Sequence, residues 1–194
     1  MIRHAVTLIS FLLLSLAANA QFYKTGNDPA SVRWSRMDSE TYRLIYTRGI
    51  DSLARVFDVE LEKWRIPTGN SIGCIPNQQY RRPMQVILHP FNASSNGLVS
   101  WAPRRMELYT VPSAYDAEPM NWATELAIHE GRHVAQMQFG KYKGFKVMSL
   151  LTGEIWTGIM SAVYTGPAFL EGDSVTAETA LTVHLGLRVT VLVY

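Results

Sequence analysis

The chain has 194 residues, 47% of them hydrophobic, with 18 basic and 16 acidic side chains and a formal net charge of +2. That length suffices for one domain with a proper core, and near-neutral charge excludes the electrostatic footprint of a nucleic-acid binder. The single cysteine, Cys74, excludes an internal disulfide and is expected to be a buried structural thiol.

At the start, Arg3 and His4 precede an apolar run from Ala5 to Ala17, too short to span a bilayer. Ala18-Asn19-Ala20 is an A-x-A cleavage pattern, so residues 1–20 read as a signal peptide and the product as secreted or periplasmic. Cleavage leaves 174 of the 194 residues, beginning at Gln21, and loss of Arg3 takes the net charge from +2 to +1. No cysteine follows the cut, which argues against a lipid anchor.

A strand around Val32 to Ser35 and the alternation of Tyr42-Arg43-Leu44-Ile45-Tyr46 open the domain. Ile50 to Trp64 carries Leu53, Val56, Phe57, Leu61 and Trp64 at helical spacing and is predicted to stop before Pro67. Gly69 to Pro83 reads as a loop and Met84 to Leu88 as a buried strand. Leu98 to Ala102 and Met106 to Thr110 form a strand pair around a Pro103-Arg104-Arg105 turn. Those two arginines suit a substrate carboxylate or, more commonly, a solvated turn. Trp101 and Tyr109 are candidates for a cleft wall, although aromatic residues in strands most often belong to the core. The layout is α+β.

Asn121 to Gln138 is predicted to be a helix, with Asn121 as N-cap and Gly140 as its stop. It contains His129-Glu130-Gly131-Arg132-His133, an HExxH motif. Residues four apart on a helix share a face, so His129 and His133 can offer two imidazoles to one metal ion. Glu130 stands beside them, placed to take a proton from water. Chance gives two histidines and a glutamate at these spacings in roughly one chain of this length in a couple of hundred, so the surroundings must decide. Ala127, Ile128, Val134 and Ala135 make the helix apolar nearly all round, as in a buried one. Histidines and a carboxylate there need compensation, and a metal supplies it. The plainer alternative is a core helix with satisfied histidines.

Zinc in a hydrolytic site takes three protein ligands and leaves one position open. Glu171, in Pro167-Ala168-Phe169-Leu170-Glu171-Gly172-Asp173, is the stronger candidate for the third, and Glu154 is its rival. His89 and His184 are weaker candidates, and His4 lies in the leader. Glu171 also reads as an ordinary first-turn glutamate favoured by the helix dipole, ahead of a helix from Ser174 to Leu181. Glu178, two turns further on the same face, suits either a hold on a ligand histidine's second nitrogen or a solvated surface charge. Lys143 to Tyr164 is apolar but interrupted, and reads as core helices under the site rather than a membrane span. Thr182 to Tyr194 ends in an uncharged β-prone run, expected to mark a fragment or a shifted reading frame.

With these segments in hand, the chain resembles the gluzincin-type zinc peptidases, in which HExxH on one helix is completed by a glutamate on a later one. More narrowly, it resembles the N-terminal peptidase-like domain of secreted Bacteroidetes proteins that continue into a TolB-like β-propeller. The segments that carry the likeness are Asp28 to Trp34, Asn96 to Arg105, the HEGRH helix and Phe169 to Asp173. The resemblance implies a zincin-like domain over residues 21–181, a small mixed sheet packed on the HExxH helix with further helices C-terminal, and an edge strand bordering the cleft. It implies zinc held by His129, His133 and Glu171, with Glu130 as general base and a peptide or protein as substrate. Gly131 costs a helix about 1 kcal/mol relative to alanine, and Arg132 is a charge where zinc peptidases usually have none. Val175 stands four after Glu171, where some gluzincins place an aspartate that braces a ligand histidine. The propeller of the fuller relatives is missing from the sequence. The alternative function is a catalytically weak or inactive zincin-like module that binds or assembles beside an envelope propeller.

Overall fold

The computed structural model describes residues 28–78, 82–92, 96–101, 103–112, 120–142, 153, 155 and 166–184. They form β1 (Trp34–Asp38), β2 (Tyr42–Thr47), α1 (Asp51–Asn70), β3 (Met84–His89), β4 (Gly97–Ser100), β5 (Arg105–Tyr109), α2 (Trp122–Tyr142) and α3 (Pro167–His184). The sheet runs β1-β2-β3-β5-β4. Its inner pairs, β2 with β3 and β3 with β5, are parallel, and both edge pairs are antiparallel. Helix α1 supplies the crossover that a parallel β2–β3 pair requires. The class is therefore α+β, with a mixed five-stranded sheet and three helices among the described residues.

Alternation makes the core. Register aligns Leu44 with Val86, Val86 with Met106, and Met106 with Val99, so one side of the sheet is a row of buried apolar side chains. Phe57, Leu61 and Trp64 of α1 and Leu126, Ala127, Ile128 and Val134 of α2 join that row in one continuous cluster. Each large side chain so buried contributes about 1.5–3 kcal/mol. Trp101 is buried within the same cluster, as a strand aromatic commonly is. Cys74 is buried as expected, and burial pushes its thiol pKa up.

Three helix boundaries depart from expectation. α1 continues through Pro67 to Asn70. Proline removes one backbone hydrogen bond, but Thr68 and Gly69 are buried, so packing against α2 outweighs that loss. α2 passes Gly140 to reach Tyr142, since glycine permits a stop without imposing one. At the other end of α2, Asn121 caps as predicted, its Oδ1 accepting from Ala123 N at 2.9 Å. α3 begins at Pro167 rather than Ser174. Gly166 turns the chain at φ 77°, and proline is well suited to the first helical position. Glu171 therefore sits in the second turn, where the dipole gives it little reason to be.

Arg104 and Arg105 are not a free cationic turn. Arg104 donates to the Asn77 side chain and, at 2.9 Å, to Arg82 O. Arg105 Nε pairs with Glu107 at 2.5 Å. Behind Glu107 lies His89, whose Nδ1 is 2.6 Å from Asp28 and whose Nε2 is 3.3 Å from Glu107. This candidate ligand is thus committed to a separate buried cluster. Burial pulls the His89 pKa down, but Glu107 and Asp28 outweigh it and hold it above 6.5. A folded-state value above the unfolded one gives stability that is whole below about pH 6.5 and is lost as pH rises through the folded value. Urea unfolding at pH 6 and pH 9 is expected to show that loss, and His89→Gln to reduce it by the share that His89 contributes.

Residues 1–20, where the signal peptide is read, Glu154 and nearly all of Lys143 to Tyr164, and the tail beyond 184 lie outside the described residues. No described helix is long and apolar enough to cross a membrane.

Candidate metal centre

His129 and His133 lie one turn apart on α2, and Glu171 reaches them from α3. His129 Nε2 and His133 Nε2 are 3.1 Å apart. Glu171 Oε2 is 3.2 Å from the first, and its Oε1 is 3.5 Å from the second. Zinc bonds of 2.0–2.2 Å in tetrahedral geometry place ligand atoms about 3.3 Å from one another, so the three side chains fit a zinc-sized ion. Among the described residues they are the one group of three or more with donor atoms close enough to share a metal.

Each imidazole is held at its other nitrogen. His129 Nδ1 pairs with Glu178 of α3, so of the two roles the sequence left open for that glutamate the structure selects the hold on a histidine over the solvated surface charge. His133 Nδ1 is 2.9 Å from Gln136 Oε1 and 3.3 Å from Ser174 Oγ. Val175 points outward and is exposed; the bracing comes from its neighbours in sequence and from one turn of α2.

The charge balance of the cluster also fits a dication. Glu130, Glu171 and Glu178 surround two imidazoles. Burial pulls the His129 pKa down, yet the Glu178 hydrogen bond and the charges of Glu130, Glu178 and Glu171 lift it to about 9. Burial drives Glu130 up, opposed by His129 and helped by Glu171 and Glu178, to about 8. Burial and the His129 charge keep His133 below its ordinary value against its bond to Gln136. Excess negative charge here attracts protons, and a dication satisfies the same demand.

Glu130 is buried at 1% exposure, and its Oε2 has no hydrogen-bond partner among the described residues. It lines a cavity of about 440 Å³ with the two histidines, Glu171 and the edge strand β4. Gly97 of that strand lies against it: a Cβ added there would fall 2.6 Å from Glu130 Cγ and Cδ. Gly97→Ala is accordingly expected to displace the carboxylate and leave the metal ligands in place. Were the group a catalytic metal centre, metal content would hold while turnover fell about 10²-fold, the scale of a 1 Å misplacement; kinetics beside metal analysis checks this.

The structure thus brings together His129, His133, Glu171 and Glu130, and sets His89 apart. His184 closes α3, and its side chain lies outside the described residues. Sequence reasoning missed four contributors, Gly97, Gln136, Ser174 and Asp173, and took Arg132, the partner of Asp173, only as a departure from the motif. Arg132 is buried, donates twice to Asp173 of α3 at 2.7 and 2.8 Å, and donates to Thr68 O and Ser71 Oγ at the end of α1. Those bonds hold the Asp173 carboxyl below the usual range, against its partial burial. An arginine in the middle of a largely apolar helix was the available signal, since a buried charge demands a partner. Gly131 has a use as well: its missing Cβ would stand 3.2 Å from Thr68 Oγ1, so glycine lets α1 and α2 approach closely.

Family models, curated proteins and solved structures give no match to the chain.

Proposed function

We propose that the protein is a zinc-dependent peptidase whose ion is held by His129, His133 and Glu171. The observation that carries this reading is the convergence of those donor atoms at 3.1–3.5 Å from two helices. Bound there, zinc would supply Lewis acidity toward a water and a carbonyl oxygen. Glu130 takes the proton from the attacking water and passes it to the leaving amine. Burial raises the Glu130 pKa, and a dication beside it would draw that value back toward the range of a base that works near neutrality. The edge strand β4 offers backbone groups to an extended peptide by strand addition. Leu98, Met137, Pro167 and Leu170 give the cavity an apolar wall for a substrate side chain.

The resemblance to gluzincins of propeller-bearing secreted proteins agrees with this reading, and with action outside the cytoplasm after leader removal. The test is metal analysis together with turnover of a broad peptide library, with and without a chelator. About one zinc per chain and chelator-sensitive cleavage are expected. A protein that takes up no zinc overturns the reading. Zinc uptake without turnover replaces it with the binding or assembly module.

A further inference from the structure

Gln136 stands one turn beyond His133 on α2, and its amide is hydrogen-bonded at both ends. Its Nε2 donates to Asp173 Oδ2 at 2.6 Å and to Leu170 O at 3.1 Å. Both of those partners are acceptors. Turning the amide over would set its oxygen against two other oxygens, so the oxygen must face His133. Ser174 Oγ donates to Leu170 O at 3.1 Å, and so it too meets His133 Nδ1 as an acceptor. An imidazole nitrogen facing acceptors must carry the proton. His133 is thereby fixed as the Nδ1–H form, with the lone pair of Nε2 directed at Glu171 and His129.

Asp173 is itself fixed by the two-pronged bond from Arg132, and Arg132 by Thr68 and Ser71 at the end of α1. A single run of donors and acceptors therefore begins at the end of α1, crosses α3 and finishes on a ligand nitrogen. We propose that Gln136, oriented by Arg132 and Asp173, is the positioning residue that sets the tautomer and ring angle of His133 for metal binding. This rests on the zinc-site reading and adds to it a residue outside the HExxH motif.

The test compares the whole chain with Gln136→Leu and Gln136→Glu. Zinc affinity is read by competition with a chromophoric chelator, melting temperature on the metal-free proteins, and the His133 tautomer by long-range proton–nitrogen NMR. Gln136→Leu removes the acceptor and is expected to weaken zinc binding about 10–100-fold, with His133 shifting to mixed tautomers. Gln136→Glu keeps the acceptor but gives up the donors to Asp173 and Leu170. It should melt lower than Gln136→Leu yet bind zinc within about threefold of wild type. Affinity that simply follows melting temperature through both variants, or Gln136→Leu binding as tightly as wild type, overturns the inference. A wild-type protein that binds no zinc overturns the metal-site reading, and this inference with it.

Discussion

On the proposed peptidase reading, Glu130→Gln is expected to bind zinc as the wild type does and to lose turnover by about 10²–10⁴-fold, the usual contribution of a positioned general base. The amide matches the carboxylate in size, so the packing around a side chain at 1% exposure is preserved. What disappears is the ability to accept a proton. The substitution also removes one of three acids crowding the histidines, and Glu130 is among the groups that raise His129. Less proton competition at His129 should leave metal uptake unimpaired. Steady-state kinetics on zinc-saturated protein, beside metal analysis and a melting curve, checks all three statements. Undiminished turnover would remove the base assignment.

The second large effect is on stability. Arg132→Met keeps the apolar stem and deletes the guanidinium, leaving Asp173 without its two-pronged partner and the Thr68 carbonyl without its donor. α1 has no basic residue in its own last turn, so Arg132, reaching across from α2, is the cation that meets that negative helix end. Arg132 is buried but Asp173 only partly so, and removing the donor to a charged acceptor of that kind costs about 1.5–3 kcal/mol, which for a chain of this size lowers the melting temperature by roughly 5 °C or more. Adding Asp173→Leu should recover part of that loss, because the stranded carboxylate goes with it. Thermal and urea unfolding of the singles and the double provide the cycle. A single variant melting within about two degrees of wild type would deny the clamp its role.

Much of the fold was legible because its signals are periodic. Alternation in Tyr42 to Tyr46 and Met84 to Leu88 locates β2 and β3, and the four-residue spacing of His129 and His133 alone places two donors together. The ends of elements were less legible, since they were decided by partners far away in the chain. Pro67 looked like a terminator until Thr68 and Gly69 were seen packed beneath α2. Glu171 reads as a first-turn residue because the helix is expected only from Ser174, whereas its glycine–proline start lies at 166–167. Gln136 and Ser174 carried no pattern at all. Their importance lies in which atom each turns toward His133, and hydrogen-bond direction leaves no trace in residue spacing. Arg132 was visible but misjudged: a charge that weakens a motif match locally proves to tie three helices together.

The proposed ligands are split between α2 and α3, and this split has a thermodynamic corollary. An ion gripping both helices staples them, closing the long excursion of chain from His133 to Glu171 much as a covalent crosslink would. Ligation favours the folded form alone, so at a hundredfold excess over Kd it adds about 2.7 kcal/mol. The unfolding midpoint of this protein should then act as a gauge of free zinc, climbing with each increment of metal and falling back when a scavenger is added.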